Sequence, residues 1–186
     1  MTWKAEPTGI AGLLVIETAH FGDARGSLTE TFRQDEMERL GVSRRYVQDN
    51  QSVSQEGVLR GLHAQGRRPQ AKLVRVASGE ILDVAVDART GSPTRGRWFA
   101  CTLSGDNPKQ LFLPEGFLHG FYVVRGPAVV TYRCSEYYDP SDQVGVMWND
   151  PALSIQWPNA KPKLSDKDSK NTAWADLTPV WETWKY

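Results

Sequence analysis

The sequence predicts an all-β chain folded as a double-stranded jelly roll, and three observations lead there. Short runs rich in β-branched and aromatic residues recur at roughly ten-residue spacing, separated by Gly, Pro and Asn turns. Only one early segment, Gln34 to Leu40 (QDEMERL, closed by Gly41), has helical character. The third observation is the stretch Gly57 to Val76, GVLRGLHAQGRRPQAKLVRV. Its Arg60, His63, Gln65 and Lys72 are framed by Val58, Leu59, Leu62 and Leu73, Val74, Val76. Apolar walls with a few inward polar groups are what a ligand hollow in a barrel needs.

Taken in order, Leu13 to Thr18 reads as a strand and His20 to Gly26 as a turn-rich stretch. Leu28, Glu30 and Phe32 then alternate with Thr29 and Thr31. Tyr46 to Val53 is extended and puts Gln48 and Asn50 on one face. The central hairpin follows, then Ile81 to Ala88, with Leu82, Val84, Val86 and Ala88 on one side and Asp83 and Asp87 on the other. Gly79-Glu80 and Pro114-Glu115-Gly116 fit tight corners. Trp98 to Leu103, Gln110 to Pro114, Gly120 to Val124 and Ala128 to Cys134 are four further short strands, with Gly126-Pro127 separating the last two. The tail carries Trp148, Trp157, Trp174, Trp181 and Trp184 around a polar KPKLSDKDSK run.

Composition narrows the function classes. At 186 residues the chain holds one domain with a real core. Lys plus Arg and Asp plus Glu are both 22, so there is no basic excess of the kind nucleic-acid binding needs. Cys101 and Cys134 make no disulfide framework and no CxxC, which points to a reducing, cytoplasmic setting. The early apolar run Ile10 to Ile16 is too short to span a membrane. The expectation is a soluble protein without membrane or nucleic-acid partners.

The three histidines are His20, His63 and His119. A metal-binding jelly roll supplies His-x-His, a carboxylate and a later His, whereas here the first element is His63-Ala64-Gln65. That donor set is poor for a transition metal, so none is expected. His20 reads as a solvated or structural turn residue. Without metal, histidine is the natural base near neutrality. Asp83 and Asp168 are both available to orient it, and nothing local in the sequence decides between them. Lys72 and His119 suit an oxyanion, and Tyr132, Tyr137 or Tyr138 suit returning a proton. This set fits proton abstraction beside a carbonyl, since no Ser or Cys nucleophile motif accompanies it.

The order of motifs resembles one family. FGDARG (21–26), FRQDEM (32–37), VQDNQSVS (47–54), VLRGLHAQ (58–65), QAKLVRV (70–76), GEILDVAVDAR (80–89), GSPTRGRW (91–98), QLFLPEGFLHGF (110–121), TYRCSEYY (131–138), WNDP (148–151) and LSDKD (164–168) follow the pattern of the dTDP-4-dehydrorhamnose 3,5-epimerases. These are metal-independent cupins of nucleotide-sugar biosynthesis. The resemblance implies His63 as general base, Asp168 as its carboxylate and Tyr132 as proton donor. It implies Lys72 and His119 at the enolate, and Gln48, Asn50, Arg60, Tyr138, Gln143 and Lys167 at the substrate. Phe21, Arg25 and Glu30 would belong to an arm reaching into a partner subunit, making a homodimer. The substrate implied is a dTDP-4-keto-6-deoxyhexose, with no cofactor.

It also implies a single unit over 1–186, with arm and dimer strands in 1–32, the jelly-roll core in 46–158 and a tail at 159–186 carrying the paired Asp. The chain departs from the pattern at Ala64 (HAQ for HYQ), at Gln143 where Glu is often seen, and at Leu118 for a common Ala. A 3-only or 5-only epimerase keeps much the same residues, so both outcomes stay open. A metal-dependent cupin oxygenase lacks its His-x-His here. A non-catalytic sugar-binding cupin would have no use for His63, Asp168 and Tyr132 together.

Overall fold

The computed structural model describes residues 2–177 and residue 184; Trp181 lies outside them. Eleven strands run in the order β1 (Lys4–Pro7), β2 (Leu14–Glu17), β3 (His20–Asp23), β4 (Gly26–Thr29), β5 (Gln48–Ser54), β6 (Leu59–Gln65), β7 (Lys72–Asp87), β8 (Trp98–Ser104), β9 (Lys109–Leu113), β10 (Phe117–Cys134) and β11 (Gln143–Gly145). One short helix, α1 (Gln34–Arg39), falls where the sequence placed it. β3 and β4 form a separate two-stranded ribbon, and the other strands make one sheet in the order β1-β2-β9-β7-β10-β6-β11, with β5 on β10 and β8 on β7. Among the described residues no helix is long and apolar enough to cross a membrane.

The sheet is built on two long strands. β10 pairs antiparallel with β7 from Phe117↔Asp87 to Cys134↔Lys72. The sequence suggested a corner at Gly79-Glu80 and a break at Gly126-Pro127, yet both positions lie inside continuous strands of 16 and 18 residues. Register shifts at Val123/Arg125, Arg125/Val129 and Val129/Val130 absorb the irregular residues as bulges. Gly79, at φ 80°, sits against that bulge, where an added Cβ would lie 2.7 Å from both Ala128 Cα and Arg125 O. The central stretch is also not a hairpin. β10 lies between β6 and β7, so its two halves each pair with β10. His20 to Asp23, read as turn, is a strand because it finds Gly26–Thr29 as its partner.

The second half of β7, from Ile81 to Asp87, is largely buried on both faces of the sheet. Ile81 and Ala85 point into the barrel with Val74, Leu103, Leu111 and Val130, and Tyr132 packs against that cluster. Val84, Val86 and Ala88 face outward, where Leu153, Ile155 and Trp184 cover them. A third cluster puts Trp3, Met37 and Val42 over Ile16, Leu73 and Phe112. The alternation read from sequence is therefore correct in its faces. The polar side is as buried as the apolar one, with Asp83 and Asp87 both fully enclosed. Asp87 is satisfied by Arg89, Ser92 and Thr94.

Gly79→Ala should cost about 3 kcal/mol or more, because it adds left-handed strain to a backbone collision. Gly91→Ala, at φ 81° with nothing within 4 Å of the new Cβ, should lose only about 1 kcal/mol. Equilibrium urea unfolding of the two variants tests this, and equal losses would remove the bulge contact as the cause.

Candidate active site

Five elements converge on one hollow. Strand pairing aligns Asn50, Tyr132 and Val74 in one row and Gln48, Cys134 and Lys72 in the next. Tyr132, Lys72, Gln48 and Asn50 therefore share a face. At the other end of β10, His119 stands opposite His63 of β6. Two adjoining cavities result, of about 240 and 180 Å³, and His63, Lys72 and Tyr132 line both. His119, Arg60, Lys167 and Asp168 line the first, and Gln48, Asn50, Tyr138 and Gln143 the second. Gly61 makes this approach possible: at φ 124° its absent Cβ would lie 2.5 Å from Gly120 Cα.

His63 Nε2 lies 2.5 Å from Asp168 Oδ1, which settles the choice of carboxylate that the sequence left open. Asp168 comes from a short 3-10 turn, Asp168–Lys170, on a segment tied down on both sides. Before it, Lys163 N donates to Gly57 O (2.8 Å) and Leu59 N to Lys163 O (3.0 Å). After it, Met147 N donates to Thr172 O (2.9 Å). Burial pushes the Asp168 carboxyl up, but hydrogen bonds and charge from His63, with Ser165 and the Gly61 backbone, hold it below the usual carboxylate value. Asp168 is therefore an anion beside the imidazole at neutral pH.

Asp83 belongs to the other histidine, with His119 Nε2 2.8 Å from Asp83 Oδ1. This partner was missed as such, although a carboxylate between Leu82 and Val84 in an apolar strand was itself a signal of a buried, paired charge. Both imidazoles thus spend Nε2 on a carboxylate. Among the described residues no group of three or more His, Cys, Asp or Glu converges as a metal site requires.

Tyr132 makes no hydrogen bond with a described residue, and burial raises its pKa, so it holds its proton at neutral pH. Lys72 is likewise without a hydrogen-bond partner among the described residues. Burial lowers its pKa, and the Asp83 carboxylate offsets this only in part. At the rim, Arg60 Nε donates to Ser54 Oγ (2.9 Å). Gln143 Oε1 accepts from the Tyr138 hydroxyl (2.6 Å) and from Lys167 Nζ (2.8 Å). Tyr138 N donates to Gln48 Oε1 (2.8 Å), and Gln48 Nε2 to Asn50 Oδ1 (2.9 Å). Gln65 is spent on loops, donating to Arg68 O and Tyr137 O.

Phe21, Arg25 and Glu30 are not brought to either cavity of their own chain. Phe21 and Arg25 project from the β3–β4 ribbon, Arg25 pairing with Asp23 at 2.6 Å. Glu30 accepts Trp3 Nε1 at 3.0 Å. His20 bonds Thr29 Oγ1 across the ribbon, a structural contact made from a strand and not from the turn the sequence suggested.

An imidazole backed by a carboxylate, a protonated phenol and a lysine without a described partner, in one hollow of a jelly roll, are the groups that an enzyme moving protons on a small polar substrate needs. Residues 7–176 match the model of the dTDP-4-dehydrorhamnose 3,5-epimerase family, and the chain belongs to it. The dTDP-4-dehydrorhamnose 3,5-epimerase of Neisseria gonorrhoeae is 47% identical over 169 residues, 90% of this chain and 52% of that protein. The chain thus spans about half the length of that relative. The dTDP-6-deoxy-D-glucose-3,5-epimerase of Legionella pneumophila Philadelphia 1, solved with dTDP-4-keto-L-rhamnose, is 43% identical with a TM-score of 0.93, covering 99% of this chain and 98% of that one. A 3'-monoepimerase of Streptomyces bikiniensis, solved with dTDP-quinovose, is 34% identical with a TM-score of 0.85, covering 91% of this chain and 87% of that one.

A desolvated ammonium with no partner among the described residues is a burden on the fold. Lys72→Met should therefore raise the melting temperature at neutral pH while lowering kcat. The folded-state pKa of Lys72 lies below its unfolded value, so the burden is full below the folded pKa and fades as pH rises toward 10.5. The gain from Lys72→Met should fade over the same range in thermal scans. A lower melting temperature for Lys72→Met would mean that the ammonium is satisfied.

Proposed function

We propose that the chain epimerises C3 and C5 of dTDP-4-dehydro-6-deoxy-D-glucose to give dTDP-4-dehydro-L-rhamnose, without cofactor or metal. The observation that carries this is the Asp168-bound His63 in one hollow with Tyr132 and Lys72. Hydrogens on the carbons flanking a C4 ketone are acidic, because the electron pair left by the proton moves onto O4 as an enolate. His63 takes such a proton, and Asp168 stabilises the imidazolium that forms. Lys72 and His119 face the developing charge on O4. Tyr132 returns a proton from the opposite face and inverts the centre. Arg60, Lys167, Gln48, Asn50, Tyr138 and Gln143 hold the nucleotide end.

Turnover in D2O with NMR location of the label tests the assignment. His63→Ala should abolish both epimerisation and deuterium uptake. Tyr132→Phe should keep exchange from the His63 side but lose inversion. Asp168→Asn should fall between, with a loss of up to about 10⁴ in kcat. Normal exchange by His63→Ala would remove His63 as the base. The likeness to the Streptomyces monoepimerase favours a second reading, a single-site epimerase. Label at C3 alone, or C5 alone, in the wild-type product would select it.

Phe21 and Leu28 are exposed at 52% and 64% on the β3–β4 ribbon, apolar side chains that a second copy would cover. We place Phe21, Arg25 and Glu30 in the partner's substrate site, in a homodimer working in the cytoplasm. Arg25→Ala should raise KM several-fold with kcat little changed. A fully active monomer by light scattering would exclude the arm from the site.

A further inference from the structure

A further hollow, of about 230 Å³, lies against the strands that wall the active cavity, and Arg75, Arg133, Thr131, Gln51 and Gln110 are among its lining residues. Strand pairing sets Thr131 of β10 opposite Gln51 of β5 and Arg75 of β7. The next row, Tyr132 with Asn50 and Val74, serves the barrel interior. Side chains alternate along a strand, so Thr131, Gln51 and Arg75 face the other way. Neither His63, Lys72, His119 nor Asp168 lines this hollow.

Its polar groups are donors in search of oxygen. Arg75 makes no hydrogen bond or ion pair with a described residue. Burial lowers its pKa, the Arg133 charge lowers it further, and Asp49 offsets this only in part. Arg133 donates to Asp49 through Nε alone, at 3.4 Å, and lies 4.0 Å over the Phe32 ring. Thr131 Oγ1 is buried with no hydrogen-bond partner. Gln110 is spent on Thr31 O at 2.7 Å. Two guanidinium groups and a single carboxylate therefore line one hollow, with an orphan hydroxyl in the row that holds Arg75.

We propose that this hollow is an oxyanion site, in which Arg75, with Arg133 and the Thr131 hydroxyl, holds a small group carrying two or more acceptor oxygens. A planar guanidinium fork matches phosphate and carboxylate alike. Size sets the class of ligand: drug-sized molecules need about 300–1,000 Å³, so the hollow suits an inorganic ion or one side chain and not a nucleotide. That chemistry has two sources. One is inorganic phosphate from solution. The other is an Asp or Glu carboxylate on a second copy of the chain, and this form rests on the homodimer reading. Thr31, which follows the β3–β4 arm and Glu30, lines the hollow, and Val53, two residues from Gln51 on β5, is 55% exposed. Neither source depends on the epimerase reading.

Thermal melts of the full chain, in phosphate and in chloride at equal ionic strength, are compared for wild type and Arg75→Met. Phosphate held at the nucleotide end is common to both proteins and cancels. A free-anion site should give the wild type a saturable rise, about 3 °C or more beyond that of Arg75→Met, with the assembly state unchanged. A carboxylate from a second copy should instead show in sedimentation velocity. Arg75→Met should then move the monomer–dimer midpoint about tenfold or more to higher concentration, Arg75→Lys should restore part of it, and phosphate should act on both proteins equally. If Arg75→Met changes neither the phosphate response nor the midpoint, the proposal is overturned, while the homodimer and epimerase readings keep their own tests. Should Arg75→Met fail to fold, Thr131→Val removes only the orphan hydroxyl. It should weaken whichever response the wild type shows, and an unaltered response overturns the proposal.

Discussion

The active site depends on a bend shared by two paired strands. His119 and Tyr132 both belong to β10, thirteen residues apart, yet they line one cavity. A straight strand would separate them by about 40 Å. β10 therefore turns back between them, and β7 turns with it, because the two remain paired on both sides of the irregular stretch 123–130. Gly79 lets the strands stay in contact through that turn, lying where any Cβ would strike Ala128 and Arg125. The bend also brings Lys72 and Asp83, eleven residues apart on β7, toward the same hollow. One deformation thus brings His119 and Asp83, from one half of the strand pair, together with Lys72 and Tyr132 from the other.

That feature was the least legible in the sequence. Gly-Glu and Gly-Pro read as ends of strands, because a local signal is the same for a corner and for a bulge in a strand that continues. Only the ladder to a distant strand distinguishes them. The pairing of β6 with β10 rather than with β7 escaped the sequence for the same reason. Periodic features read well: the α1 segment, the faces of Ile81 to Ala88, and the placement of Gln48 and Asn50. The structure also brings His63, Lys72, His119, Tyr132 and Asp168, all singled out from the sequence, to one cavity. Their motifs, taken in order, were specific enough to indicate a family. Asp83 was seen as a candidate but not with its true partner, because two carboxylates and two imidazoles leave the pairing to three-dimensional register.

The two His–Asp pairs set one chemical unit in two different surroundings. His63 is about a quarter exposed and lines the cavity. His119 is walled in by β7 and β10, with its carboxylate beneath it. Between them sits Lys72, desolvated and unpaired. Stability and reactivity pull against one another there. The same burial that weakens the empty fold strengthens every electrostatic contact that substrate makes inside it.

The carboxylate of the first pair lies 105 residues beyond its histidine. It is carried on a segment laid along β6 and β11 after the barrel strands have been completed in the chain. The strands that hold His63, Lys72, His119 and Tyr132 all precede it in the chain. The carboxylate therefore owes its place to a segment outside those strands, held through Gly57, Leu59 and Met147. Loosening that segment would draw the anion away from His63 while leaving the strand pairing of the barrel untouched.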